Sequence, residues 1–120
     1  MHFDAPLAVQ SADGKRLGTR VFQVAGPLTL DNLFVFQDAL QDGELPKAAI
    51  LDLSEVPYID SAGMGAIVNY YVHCQRLGTQ VILAGIGSRP MELFILTKVH
   101  TMIPMADSVE QAEERIQEVS

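Results

Sequence analysis

The sequence predicts an α/β fold: one mixed, mostly parallel sheet of four to five strands with about four helices, in the order β-β-α-β-α-β-α-β-α, as one domain over residues 1–120. Three observations predict it. Two short apolar runs, "KAAILDL" at Lys47–Leu53 and "QVILA" at Gln80–Ala84, are bounded in the way of strands buried on both faces. Segments with apolar residues at helical spacing alternate with them, the order that builds a parallel sheet. Early in the chain, Asp13-Gly14 accepts the positive φ angles of a tight hairpin turn, so the first two strands pair antiparallel and the sheet is mixed.

Each element follows in turn. Phe3 to Val9 alternates loosely and carries Pro6, which suits an edge strand. Leu17 to Ala25 reads as the second strand, and Gly26-Pro27 breaks it. Thr29 is placed to cap a helix running to about Asp42, with Leu30, Leu33, Phe34 and Leu40 on one side. "LFVF", Leu33 to Phe36, covers every side of a turn and is expected to be deeply buried, because a small domain is short of core. A second helix begins near Ser61, carries Met64, Ile67, Val68, Tyr71 and Val72 at helical spacing, and stops at Gly78. Ser88 precedes a third helix whose first turn holds Pro90, where proline is tolerated. Thr101 to Met105 reads as a weak final strand. Ser108 caps a last helix with Val109, Ala112, Ile116 and Val119 on one face and Glu110, Glu113, Glu114 and Glu118 on the solvated one. Met102 and Met105 are expected as core filler, and Cys74 as a buried, inert thiol.

Composition narrows the function. The chain is 48% apolar and 19% charged, so it folds rather than staying disordered. Lys plus Arg number 8 and Asp plus Glu 15, so the net charge of −7 argues against nucleic acid, whose binding is dominated by basic side chains on phosphates. The single cysteine allows no intrachain disulfide, which suits a reducing compartment. The start "MHFDAPLAVQ" has no basic stretch followed by an apolar core, and no apolar run approaches the ~18 residues of a spanning helix. A cytoplasmic protein without membrane insertion is expected.

The stretch "YIDSAGMGAI", Tyr58 to Ile67, carries the chemistry. It lies at the C-terminal edge of the sheet, where ligands of such folds meet the strand-to-helix loops, and "AGPLT" and "GIGSRP" lie at the same edge. Asp60 or Ser61 can accept a hydrogen bond from a first-turn N–H and cap the helix. A cap alone does not ask for Gly63 and Gly65; two glycines in one turn suggest that something approaches the backbone closely, or that this turn packs tightly on the sheet. A hydrolase elbow has Gly-x-Ser-x-Gly, but Ile59 stands where the first glycine belongs. His2, His73 and His100 assemble into no triad in the sequence, and neither a phosphate-binding loop nor a metal-ligand spacing occurs. Ser61 as a site that itself receives phosphate fits best. A helix N-terminus tolerates the ~−2 charge of a phosphoserine, while a partner docked on the loop would feel it.

"LDLSEVPYIDSAGMGAIVNYYVHCQRLGTQVILAGI" resembles the central segment of the anti-sigma factor antagonists of the STAS domain family, whose members share Asp-Ser-(Ser/Ala)-Gly-(Leu/Met)-Gly between a buried strand and a helix. The order of elements also matches, so the resemblance covers nearly the whole chain. It implies a non-enzymatic, cofactor-free binding module. Such a module docks on a partner that is both serine kinase and anti-sigma factor, is released once Ser61 is phosphorylated, and is restored by a PP2C-type phosphatase. Carried over by position, the partner-binding residues are Gly26, Leu28, Thr29, Asp60, Ser61, Ala62, Gly63 and Met64. Ala62 stands where some members have a second serine. Gly26-Pro27-Leu28-Thr29 lacks the acidic residue that many members carry in a pattern like Gly-x-Leu-Asp. The same fold also serves as an accessory subunit of ABC-type lipid transporters and as a scaffold in stress-sensing assemblies.

Overall fold

The computed structural model describes residues 6–116. Strands Ala8–Asp13 (β1), Thr19–Ala25 (β2), Ala48–Glu55 (β3), Gln80–Ala84 (β4) and Met105–Ala106 (β5) lie in chain order in one five-stranded sheet. β1 pairs antiparallel with β2, and every later pair is parallel. Helices Leu33–Gln41 (α1), Ser61–Leu77 (α2), Ser88–Leu96 (α3) and Val109–Arg115 (α4) connect or follow the strands, with 3₁₀ turns at Leu30–Asn32 and Val99–Thr101. The order is the one the sequence predicts. Among the described residues no helix is long and apolar enough to cross a membrane.

Side chains alternate across a strand, and both faces of β3 are covered. Ala49, Leu51 and Leu53 face a large core with Phe22, Val24 and Leu83, onto which α1, α2 and α3 bring Phe36, Leu40, Ile67 and Phe94. Ala48 and Ile50 face a smaller core with Ile82 and Ala84, sealed by Ala112 and Ile116. Three helices therefore cover one face, and α4 the other. Ser108 caps α4 by accepting from the Gln111 N–H, as its position in the sequence predicts.

Several expectations shift. β1 runs from Ala8 to Asp13 rather than through Phe3–Val9, of which residues 1–5 lie outside the described part. Asp13-Gly14 therefore ends a strand instead of forming a tight turn, and the positive φ of the connecting loop falls on Gly18. Asp13 opposite Arg20 sets that register. The first helix buries Phe36 and Leu40 but leaves Leu30, Phe34 and Val35 exposed, because only one stripe of a helix lying on a sheet can face it. Met102 is exposed too, whereas Met105 packs against the large core. The last strand is the short β5, since Val99–Thr101 closes into a 3₁₀ turn.

Glu113 is the largest departure from the expected solvated face. It is buried, and its carboxylate accepts from the backbone N–H groups of Lys15 at 2.6 Å and Arg16 at 3.4 Å. The smaller core brings α4 against the hairpin loop, and the carboxylate satisfies the loop's donors. Glu118 and Val119 lie outside the described residues.

Glu113→Ala should remove both charge-assisted bonds and cost about 1–3 kcal/mol, read as a lower urea midpoint with an unchanged slope. Alkaline stability offers another check. Burial raises the pKa of Tyr70, with Cys74 adding to it, and burial likewise raises that of Cys74. Both groups stay neutral in the folded chain and ionise in the unfolded one from about pH 9 upward. Their stabilisation is complete below that pH and is lost as pH rises. Urea midpoints should hold steady from pH 7 to 8 and drop toward pH 11, less steeply in Tyr70→Phe.

Candidate functional site

The site forms where the loop after β2 meets the loop after β3. Leu28 and Ile59 form a parallel β-bridge beyond the strand ends. The Leu28 N–H donates to the Tyr58 carbonyl at 2.9 Å, and the Asp60 N–H donates to the Leu28 carbonyl at 3.2 Å. Leu28 is fully buried, so its side chain pins the first loop into the large core while its backbone holds the second. Gly26 opens the first loop with φ 111°, and a Cβ there would lie 2.5 Å from the Pro6 carbonyl. Glycine is required on both counts.

Asp60 lies at the centre. Its extended backbone makes it the N-cap of α2, and its Oδ1 accepts from the Gly63 N–H at 2.8 Å. Its Oδ2 accepts from the Leu30 N–H at 3.0 Å, at the start of the 3₁₀ turn that leads into α1. One carboxylate thus caps two helical segments, and each N-terminus contributes positive partial charge toward it. Thr29, expected to cap the first helix, makes no side-chain cap bond; the Asn32 N–H goes to its backbone carbonyl at 3.0 Å, and Asp60 takes the Leu30 N–H. The sequence leaves the cap of α2 open between Asp60 and Ser61, and the structure assigns it to Asp60.

Ser61 is therefore spared that work. It is the first residue of α2, it is exposed, and its hydroxyl caps neither helix. Ala62 beside it is half-buried, and Met64 lies in the core. Gly63 is buried against Leu28: a Cβ on it would fall 2.3 Å from the Leu28 carbonyl oxygen. Gly65 differs, since a Cβ there meets none of the described residues within 4 Å. The close approach inferred for the glycine pair holds within the chain for Gly63 alone.

The surroundings of Ser61 were not legible in the sequence. A shallow depression beside it is lined by Tyr58, Asp60, Arg89, Glu92 and Leu96 among others. The Arg89 guanidinium lies over the Tyr58 ring, 5.1 Å from its centroid. Leu30, Tyr58 and Leu96 are 66%, 40% and 80% exposed, so uncovered apolar surface rims the serine. The sequence places "GIGSRP" at the same edge, but not the contact of Arg89 with Tyr58 or the position of Leu96 beside the serine. Among the described residues no cluster of His, Cys, Asp and Glu is placed to hold a metal.

The model of the STAS domain matches residues 11–112. An anti-sigma-B factor antagonist of Listeria monocytogenes is 28% identical over 82 residues, 67% of this chain and 72% of the relative. The solved structure of an anti-sigma factor antagonist from Mycobacterium paratuberculosis superimposes with a TM-score of 0.78 at 20% identity, covering 97% of this chain and 100% of that one. The Bacillus cell fate determinant SpoIIAA in its phosphorylated form superimposes with a TM-score of 0.70 at 16% identity, covering 92% and 100%.

The division of labour at this site can be measured. Asp60→Ala loses both caps and should cost about 2–3 kcal/mol, Asp60→Asn about 1 kcal/mol because its amide keeps one acceptor oxygen, and Ser61→Ala less than about 0.5 kcal/mol. Gly63→Ala should destabilise by about 2 kcal/mol or more through the clash with Leu28, whereas Gly65→Ala should stabilise by about 0.5–1 kcal/mol. Urea unfolding of the five variants checks the set.

Proposed function

The chain belongs to the STAS domain family, and on that premise we propose that it is an anti-sigma factor antagonist working by partner switching. Unmodified, it docks on an anti-sigma factor that is also a serine kinase and so frees the sigma factor. Phosphorylated on Ser61, it is released, and a PP2C-type phosphatase returns it to the binding form. The reading is of a binding module without catalytic chemistry or cofactor, in keeping with the acidic composition and the antagonist relative.

The observation that carries it is the free, exposed hydroxyl of Ser61 on the first turn of α2, beside a carboxylate that has taken over the capping. A kinase reaches such a hydroxyl without unfolding the loop. The added phosphate has the helix N-terminus behind it, so the fold tolerates the charge. The docking surface comprises Asp60, Ser61, Ala62, Gly63 and Met64 on one loop and Gly26, Leu28 and Thr29 on the other, the two being joined by the Leu28 bridge. Leu28 and Met64 are buried, so their part is to shape the backbone that the partner meets. The exposed Leu30, Tyr58 and Leu96 supply apolar contact around it.

The effect of phosphate is electrostatic. Two negative charges brought into an interface that already holds Asp60 cost several kcal/mol. A loss of roughly 3 kcal/mol weakens affinity about a hundredfold or more. Incubation with the organism's own anti-sigma kinase and Mg-ATP should add one phosphate, at Ser61, by mass spectrometry, and none to Ser61→Ala. In a binding titration Ser61→Ala should match the unmodified protein, the phosphoprotein should be weaker by about two orders of magnitude, and Ser61→Asp should fall between. Binding indifferent to phosphate at Ser61 would replace this reading with that of a transporter accessory subunit or a stress-signalling scaffold.

A further inference from the structure

We propose that Arg89 is the intramolecular receiver of a phosphate on Ser61, leaving the face of Tyr58 to take it. The inference rests on the partner-switching reading and adds to it a residue outside the serine motif. Arg89 lies in the first turn of α3 and lines the same depression as Ser61. Its guanidinium lies 5.1 Å from the centre of the Tyr58 ring and makes no ion pair or hydrogen bond with the described residues. The charged side chains lining this depression are Asp60, Glu92 and Arg89. Both Asp60 oxygens are engaged at helix starts, and Arg89 is the one cation among these groups.

An exposed guanidinium resting on a ring is held weakly. A phosphate dianion three residues along from Tyr58 offers the same fork a bidentate, charge-assisted partner, roughly twice as strong as a neutral hydrogen bond. Phosphorylation then does more than add negative charge at the docking surface. It also withdraws the one positive charge of the depression and uncovers the Tyr58 ring. A partner with an acidic group opposite Arg89 would lose that contact when the phosphate arrives. Glu92, one turn further along α3, opposes the pairing by like-charge repulsion.

The test installs phosphoserine at position 61 during translation, so no kinase is needed, and follows the phosphorus-31 resonance of the folded full chain against pH. A neighbouring guanidinium favours the dianion. The second ionisation, ordinarily near pH 6, should therefore lie lower in the wild type than in Arg89→Gln by about half a unit or more. Arg89→Lys should fall between the two, and Glu92→Gln should lie below the wild type. The Tyr58 ring resonances should shift on phosphorylation in the wild type and stay in place in Arg89→Gln. Superimposable phosphate titrations of the wild type and Arg89→Gln would overturn the proposal. Failure of the kinase to modify Ser61 would count against partner switching alone, since the phosphate is placed here without it.

Discussion

The carboxylate of Asp60 is the constraint on which the serine loop depends. A short α-helix leaves its first N–H groups without partners, and so does a 3₁₀ turn. Here two such starts face one another at the edge of the sheet, and one side chain answers both. Reciprocal backbone bonds between Leu28 and the segment Tyr58–Asp60 fix the spacing that lets one carboxylate reach both ends. Gly63 admits the Leu28 carbonyl into what would otherwise be the volume of a Cβ. Each piece requires the others: without the glycine the loops part, and without the loops in register the second oxygen finds no donor.

This arrangement separates structural from chemical duty. In many helices a serine at the junction is itself the cap, and modifying it removes a stabilising bond. In this chain the cap is one residue earlier, so the hydroxyl that faces solvent carries no load in the fold. Gly65 belongs to the same outward surface. Among the described residues no atom lies within 4 Å of a Cβ built there, and glycine costs the helix about 0.5–1 kcal/mol relative to alanine.

The elements that a linear reading resolves are those fixed by local pattern. Gln80–Ala84 is found at its true bounds because it is a short apolar run between glycine-containing breaks, and Gly78 and Ser108 mark helix ends by local chemistry alone. Misreadings arise where a distant partner overrules the local signal. The second bond of Asp60 goes to a residue 30 positions away, and that of Glu113 to residues 97 and 98 away. No spacing rule announces either. The hairpin slipped because Asp13-Gly14 is a strong turn signal that tertiary pairing absorbed into a strand end. Phe34 and Val35 are exposed where deep burial is the favoured reading, because an apolar residue in a small domain reads first as core although a run covering every side of a turn must leave part of itself outside. The serine motif is legible as a motif, and the strand order puts "GIGSRP" at its edge; the stacking of Arg89 on Tyr58 is not legible, because only the folded chain sets that contact.

The contact between Gly63 and the Leu28 carbonyl has a consequence for how rigidly this site is held. It is a backbone-to-backbone contact, and such contacts do not yield by rotating a side chain. The first turn of α2 is therefore bolted to the sheet edge, and close-packed interiors of this kind hold one arrangement rather than sliding by degrees. The backbone at Ser61 is thereby held in place from beneath, and the smaller core under α4 shares none of the residues that make this contact.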